Sequence, residues 1–532
     1  MKKLVAVLLA LMLIVPSFAA FAEEEDRYGR YETPIHLSIL SEDFKTGTTA
    51  YDSSDPTRRS ATENAWVTAY KDYLNIEVER IIAEDGTALN AQVNTGMASG
   101  ELPDGVIVGK EMFYKMIENE VCADMTEAWN GYAQKNYLEQ AVGNVLDTAT
   151  YEGKLLGIPI IGNCYNNAQL LWVRQDWLKK VGKEIPKTLD EMIDVARAFK
   201  AAKLGGEETV GMGMSMGDSY QGSYNSPAAI CAAYGSVWGA WQPAEDGGVV
   251  WGKVTEGNKQ GLLKVQEMYK EGLLKSDFAS SNTTTEDVAN GKIGMYYATG
   301  WHSVTDIKTS LVNDPEADWM CVAAPSLDGQ PVKQWNNCSV AAFLVVNPEC
   351  EHPEAFLKMM ELELKVFIDP SDEELPKLYA GTDDFLYWDL RVFRNLNLSN
   401  FDLYRSALVN EHLEKNTPVE EVPASIKDYY NQCVRALNGE RALYGRYLCQ
   451  KYAFPIYAEN LEKGLYLYSY NGPLTETMTT YEKTLNSELD AAMVKVMMGE
   501  DIAVYEKAVE DWYKNGGQTI TDEVNAYYAA QK

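Results

Sequence analysis

Between Pro34 and Val108 apolar runs and helical patterns take turns, which leaves the chain few ways to fold. Pro34–Leu40 (PIHLSIL) reads as a strand ending in the polar loop Ser41-Glu42-Asp43. Asn64–Leu74 reads as a helix, and Ile76–Ile82 alternates as a second strand. Ala88–Ser99 reads as a helix ended by Gly100, and Leu102-Pro103-Asp104 leads into a third strand, Gly105–Val108. Strands separated by helices cannot pair through tight hairpins, so this order predicts an α/β unit with a largely parallel sheet. At 532 residues the chain is long enough for two or more such units, each with its own core.

A second informative stretch is Tyr151–Lys200. Glu152-Gly153-Lys154 is a turn, and Leu155–Ile161 is an apolar run broken by Gly157 and Pro159. Leu170–Val173 reads as a strand and Arg174–Val181 as a short helix. Thr188 and Glu191 then fit a capping box, the hydroxyl and the carboxylate each satisfying a backbone N–H that the first helical turn leaves unpaired. Met192, Val195, Ala196 and Phe199 follow at i, i+3, i+4, i+7 and give an apolar stripe.

Residues 1–22 read as a secretory signal peptide: Lys2 and Lys3, the apolar run Leu4–Val15, and the small-x-small site Ala20-Phe21-Ala22. That run is short for a membrane span, and no later stretch has 18 uninterrupted apolar residues. A soluble, extracytoplasmic protein is therefore expected. The formal net charge is −31, with no run rich in Lys or Arg, which argues against nucleic acid or anionic membrane as partners. The eight cysteines are Cys122, Cys164, Cys231, Cys321, Cys338, Cys350, Cys433 and Cys449, with no CxxC. Mostly buried thiols with one or two bridges are expected, and no pair is assigned.

Several kinds of chemistry are missing. There is no GxxxxGK[ST], and none of His36, His302, His352 and His412 lies in HExxH or in a Cys/His set with zinc spacing. Asp369–Glu374 (DPSDEE) lacks the alternating ligands and central Gly of a calcium loop. No metal or cofactor is expected. Gly213-Met214-Ser215-Met216-Gly217 satisfies GxSxG, and a strand at Thr209–Met212 would precede it. A nucleophile elbow also needs a helix directly after it, and Asp218–Tyr224 is a poor helix start, so Ser215 reads as a loop or strand residue. A glycosidase needs two placed carboxylates, and nothing singles out a pair among 78 Asp plus Glu.

A small-molecule site joins aromatic faces, which suit C–H patches, with polar side chains that hydrogen-bond the ligand. Among 12 Trp, the informative ones fall in loops at the carboxyl ends of strands, where open α/β sheets bind ligands. Trp301 follows the strand Lys292–Tyr297 through Ala298-Thr299-Gly300. Trp335 lies in Gln334-Trp335-Asn336-Asn337, before the strand Ser339–Val346, and Trp241 follows the Gly-rich Tyr234–Ala240. Trp388, in Tyr387-Trp388-Asp389, is a further candidate that helix packing explains equally well. Trp66, Trp172, Trp177 and Trp512 read as structural. Lys110 and Glu111 end the third strand.

Gly153-Lys154, Gly157-Ile158-Pro159, Arg174-Gln175-Asp176-Trp177-Leu178, Gly182, Pro186–Glu191 and Ala198-Phe199, in that order, resemble the pattern of the extracellular solute-binding proteins of ABC importers, family 1, which binds carbohydrates. Ser99–Asp104, Val121–Thr126, Ala289–Met295 and Glu351–Ala355 continue the resemblance. Asn471–Thr475, Met498-Gly499, Gly516-Gly517 and Glu523–Asn525 are similar to the large, oligosaccharide-type branch. The matches span roughly residues 34 to 528.

The resemblance implies an α/β, two-lobed periplasmic-binding-protein-like fold of type II, with discontinuous lobes joined by a hinge. It implies crossings near residues 148–155, 320–326 and 364–372, hence lobes of 23–150 plus 325–366 and of 151–324 plus 367–532. It further implies a monomeric, non-catalytic substrate-binding component that closes on an oligosaccharide and delivers it to membrane permease subunits. Trp301 would stack on a sugar, as in sugar-binding relatives, and Asp43 follows the first strand, where the family often places a ligand contact. Asn163 lies near the position of a binding carboxylate in maltose-type relatives, although here the residue is Asn. Relatives in single-membrane bacteria usually carry a lipidated Cys after the signal. Here that place is Glu23, so no lipid anchor is expected. The alternatives are a binding protein for a non-sugar solute such as a peptide, and a secreted hydrolase using Ser215 or a carboxylate pair.

Overall fold

The computed structural model describes residues 28–42, 55, 58–162, 164–216, 225–280, 283–336, 338, 340–369 and 390–530. The expected signal peptide, Gly217, Asp43, Asn163 and Trp388 lie outside the described residues. The chain forms two compact units. The first takes the residues up to Gly162, Val340–Leu398 and Pro423–Ser425. The second takes Asn163–Ser339, Ser399–Val422 and Ile426–Lys532. The passages thus fall later in the chain than the expected crossings.

In chain order the first unit contributes strands β1 (Ile35–Glu42), β2 (Ile76–Ala83), β3 (Gly105–Val108), β4 (Thr150–Tyr151), β5 (Lys154–Leu155) and β6 (Ile158–Ile161). The second contributes β7 (Leu170–Arg174), β8 (Trp241–Pro243), β9 (Val249–Trp251), β10 (Met295–Ala298), β11 (Trp319–Ala323) and β12 (Gln334–Asn336). The chain then returns to the first unit with β13 (Val340–Val346), and β14 (Tyr466–Tyr468) belongs to the second.

The first unit is built on a five-stranded sheet of order β2-β1-β3-β13-β6. β1 runs parallel to β2 along its whole length and to β3, as the helical connections between them require. β13 arrives from the second unit and enters antiparallel to both β3 and β6, so the sheet is mixed. All four residues of β6 are buried, and their pairing with β13 keeps them in the first unit rather than in a passage out of it. The expected helix at 64–74 divides into an α-helix at Ala65–Ala69 and a π-helical turn at Tyr70–Leu74. Asn64 caps it by accepting the backbone N–H groups of Trp66 and Val67. Tyr70 donates to Glu363. Burial raises the Glu363 carboxyl above its ordinary pKa, and Arg391 opposes that rise.

The second unit centres on a three-stranded antiparallel sheet of order β10-β7-β11. Successive side chains of a strand point to opposite faces. Leu171 and Val173 of β7 therefore enter one core, with Trp177, Met192, Phe199 and Trp238, while Leu170 and Trp172 enter another, with Tyr296, Trp319 and Tyr457. β8 and β9 form a hairpin, and β12 pairs in parallel with β14. The capping box at Leu189–Ala202 forms as expected: Glu191 N–H donates to Thr188 Oγ1, and Thr188 N–H to Glu191 Oε2. The strand expected at Thr209–Met212 does not form, and Val210 and Gly213 make only isolated bridges to Ile293 and Tyr296. Trp66, Trp172, Trp177 and Trp512 are buried.

The helix Arg441–Leu448, a π-helical turn Cys449–Ala453 and the helix Phe454–Glu462 follow one another without a break. They pack against a 3-10 turn at Gly300–Val304. The approach requires glycine at 445, because a Cβ there would stand 1.7 Å from the Ser303 carbonyl oxygen. Cys164 and Cys338 form a disulfide within the second unit. The other six cysteines are free thiols, and Cys231, Cys321, Cys433 and Cys449 are buried. Burial pushes the Cys433 and Cys449 thiols up to about 12, which leaves them protonated and unreactive at neutral pH.

Gly445→Ala is expected to destabilise the second unit by about 1–3 kcal/mol through overpacking. Thr188→Ala is expected to cost about 1 kcal/mol through the lost cap. Calorimetric unfolding of both variants checks this, and a Gly445→Ala transition identical to the parent's would contradict the close approach.

Candidate functional site

β10 ends at Ala298, and two side chains pin the turn after it. Trp172 Nε1 donates to the Thr299 carbonyl at 3.1 Å. Gly300 N–H donates to Tyr457 Oη at 2.7 Å, and that hydroxyl donates to the Ala168 carbonyl at 2.8 Å. Trp301, carried by this turn, is half-buried. Its ring meets Phe454 edge to face at 5.4 Å. The Arg446 guanidinium lies 5.4 Å from the Trp301 ring centroid and 4.5 Å from that of Tyr429. Arg405 in turn lies 3.7 Å from Tyr429 and 4.9 Å from Phe401. The result is an alternating series, Trp301–Arg446–Tyr429–Arg405–Phe401, in which each cation sits by two rings and is attracted by their negative faces. Arg405 is also ion-paired with Asp402.

Trp335, on β12, is 7% exposed. Its Nε1 donates to Ser469 Oγ at 2.9 Å, and Ser469 Oγ donates to the Gly239 carbonyl at 3.1 Å. Beside it, Gln334 Oε1 and both polar atoms of the Asn336 side chain are buried without a hydrogen-bond partner. An unpaired buried amide costs about 1–3 kcal/mol, so such a cluster marks a place where water or a ligand supplies the missing bonds. Gln334 and Trp335 share a small cavity with Gln169 and Trp238, with free space of about 10 Å3. Gln169 is held by Ser226 Oγ at 3.0 Å and by Ala229 N–H at 3.2 Å. On the partner strand, Tyr165 stacks on Tyr466 at 5.8 Å, and Tyr468 is partly exposed. The Cys164–Cys338 bridge borders this surface: Cys338 N–H donates to the Asn336 carbonyl, and Asn471 Nδ2 to that of Cys338.

Trp241 begins β8 and packs against Trp251 of β9, with ring centroids 5.5 Å apart. Of the aromatic residues singled out from sequence, Trp335 and Trp241 thus come to neighbouring places linked through Ser469 and Gly239. Trp301 packs apart from them, against the core of Leu170 and Trp172.

In the first unit a cavity of about 270 Å3 opens at the carboxyl ends of the parallel strands β1 and β3. Ser41, Glu42, Arg80, Gly109, Arg394 and Asn395 are among its walls. Arg80 donates to Ser41 Oγ at 3.3 Å and to the Ala61 carbonyl at 2.9 Å. Lys110 and Glu111 begin the helix Lys110–Glu118 that follows β3.

Among the described residues no strand leads into the hydrolase motif, and Gly217 and the segment after it lie outside them. Ser215 is buried in an irregular segment, and its N–H donates to the Asn225 carbonyl at 2.9 Å. His302 is engaged with Asp306 at 2.8 Å, and Asp306 accepts from Tyr296 Oη at 2.6 Å. Among the described residues no group of three or more His, Cys, Asp or Glu is placed to hold a metal ion. Sequence reasoning missed Arg446 and Tyr429, whose ring and cation partners include Trp301 and Arg405, and Trp251, which meets Trp241 across the β8–β9 hairpin. The polar run around Trp335 was the one local signal for Gln334 and Asn336.

Arg446→Met keeps the aliphatic stem and removes the planar cation. A double-mutant cycle with Trp301→Leu, read by denaturant unfolding, is expected to give a coupling of about 0.5–2 kcal/mol. Additive effects would show that the series is not an energetic unit.

Residues 65–360 match the profile of the bacterial extracellular solute-binding proteins, more than half of the chain. The chain is 24% identical over 470 residues to lipoprotein LipO of Bacillus subtilis (strain 168), covering 84% of this chain and 85% of LipO. An extracellular solute-binding protein from Bifidobacterium longum subsp. infantis has a similar structure, with a TM-score of 0.63 at 14% identity over 93% of this chain and 98% of that one. The Streptococcus pneumoniae ABC-transporter substrate-binding protein FusA, solved in complex with kestose, gives 0.58 at 15% identity over 94% and 100%. With the mixed α/β construction of both units, these likenesses show the two-unit periplasmic-binding-protein fold of type II. The protein therefore belongs to the family of bacterial extracellular solute-binding proteins.

Proposed function

We propose that this protein is the extracytoplasmic substrate-binding component of an ABC importer, that its solute is an oligosaccharide, and that it passes this ligand to membrane permease subunits unchanged. The observation that carries the reading is the group on β12 and β14, where the buried Trp335 indole, the partly exposed Tyr468, the unpaired Gln334 Oε1 and the unpaired Asn336 amide come together. Aromatic faces suit the C–H patches of a sugar, and amides that both donate and accept suit its hydroxyls. The kestose held by the structurally similar FusA supports the same class of ligand. Trp301 and Trp241 are assigned as further stacking residues, with Asp43, Asn163 and Trp388 retained from the sequence as ligand contacts. Export through residues 1–22 and action as a monomer complete the proposal.

The test is a thermal-shift panel of oligosaccharides and peptides on the purified protein, with product analysis of each mixture. A raised Tm with one or more oligosaccharides left intact is expected. Trp335→Ala and Trp301→Ala are each expected to weaken that binding about tenfold or more. Turnover that disappears in Ser215→Ala would overturn the non-catalytic reading, and shifts from peptides alone would overturn the sugar.

A further inference from the structure

A cavity of about 430 Å3 lies beside the β8–β9 hairpin of the second unit, within the size range of small-molecule sites. Trp241 and Trp251 form one wall, their rings inclined at 50°. Two indoles at that angle make a concave apolar corner. Trp251 is 9% exposed, and its Nε1 is buried with no acceptor. The wall is thus apolar in its faces and carries one unused donor.

The opposite side is polar. Lys253 and Asp490 line the cavity, are both buried, and pair at 2.7 Å. Burial draws the Lys253 pKa down and the Asp490 pKa up, and each partner counters the other's shift. The pair is fixed from behind: the Lys253 carbonyl accepts from Asn258 Nδ2 and Tyr505 Oη, both at 2.8 Å, and the ammonium lies 5.6 Å from the Trp238 ring. Lys483 and Glu482 add one charge of each sign, and Ser487 and Asn486 add neutral polar groups. The charged groups around the cavity therefore balance, while donors and acceptors are both plentiful. A carboxylated or cationic ligand would find no net opposite charge. An uncharged, hydroxyl-rich ring finds an apolar corner for its C–H face and both kinds of hydrogen-bonding group for its hydroxyls.

Ser469 and Gly239 also line this cavity, and Ser469 Oγ accepts from Trp335 Nε1. The cavity and the Trp335 surface are therefore joined through one serine. We infer that the Trp241–Trp251 cavity is a binding site for an uncharged sugar residue of the oligosaccharide ligand. This rests on the sugar reading above and adds to it a neutral substrate class and a place for it.

Isothermal titration of the mature protein with kestose, maltotriose, cellotriose, xylotriose, mannotriose and trigalacturonate tests this. Two variants are compared with the parent. Trp251→Phe keeps a ring but removes the unpaired N–H, and Ser487→Tyr fills the cavity from an exposed helical position without removing a buried side chain. At least one neutral trisaccharide is expected to bind the parent, and each variant is expected to lose about tenfold in affinity for it, at an unchanged Tm for Ser487→Tyr. Parent-like affinity in both variants overturns the cavity site and leaves the sugar reading standing. Binding of trigalacturonate alone overturns the neutral class. Failure of every probe to bind the parent overturns the sugar reading and this inference with it.

Discussion

Arg174 closes the central strand of the second unit with its guanidinium 1% exposed, and much of that unit is arranged around keeping the charge satisfied. Burial works against the charge. Hydrogen bonds from Nε and Nη2 to the Asp176 carboxylate, and from Nη2 to Asp314 at 2.7 Å, nevertheless hold its pKa above the ordinary arginine value. The plane of the group lies by the rings of Trp177 and Trp319. Asp176 also accepts the backbone N–H of Asp318, whose carbonyl takes that of Gln175. One guanidinium thus joins β7, the helix that follows it, the turn at Asp314 and the start of β11. Removing either carboxylate would leave a buried charge short of its partners, which is far more damaging than losing an exposed pair.

The same logic recurs around Trp301. A planar cation is weakly hydrated and stacks on aromatic faces, so it can be drawn into a protein wherever rings replace the water it gives up. Arg446 and Arg405 are placed in this way by helices that come late in the chain. The turn carrying Trp301 is held by hydrogen bonds from underneath and by Arg446 from the side. A side chain carried on such a turn is already ordered by the fold, so holding it in place costs no further conformational entropy. The Trp335 surface uses a different device, a two-stranded ribbon bordered by a disulfide.

Local signals in the sequence suffice where the physics is local. The capping box of Thr188 and Glu191 needs only four residues to form, and it is present. The strand–helix alternation up to Val108 gave the parallel part of the first sheet with its boundaries within a residue or two. The expected strand at Thr209–Met212 failed because strand formation depends on an edge to pair with, and only isolated bridges were on offer. The divided helix at Ala65–Leu74 was also not legible, since a π-helical turn answers to packing rather than to periodicity. Trp335 and Trp241 were recognisable as candidates from their loop settings. That they meet across Ser469 was not, because β14 lies more than a hundred residues further along the chain.

By itself the sequence determined the family, the α/β class, the capped helix after β7 and the set of aromatic residues worth weighing. Each of these depends on neighbours a few residues apart, or on an ordered series of short motifs. The tertiary structure alone decided that β13 returns to complete the first sheet, which cysteines bond, which carboxylate from the far side of a unit meets Arg174, and which tryptophans share a cavity. Those outcomes are set by contacts between segments distant in the chain, where packing and desolvation outweigh any local preference.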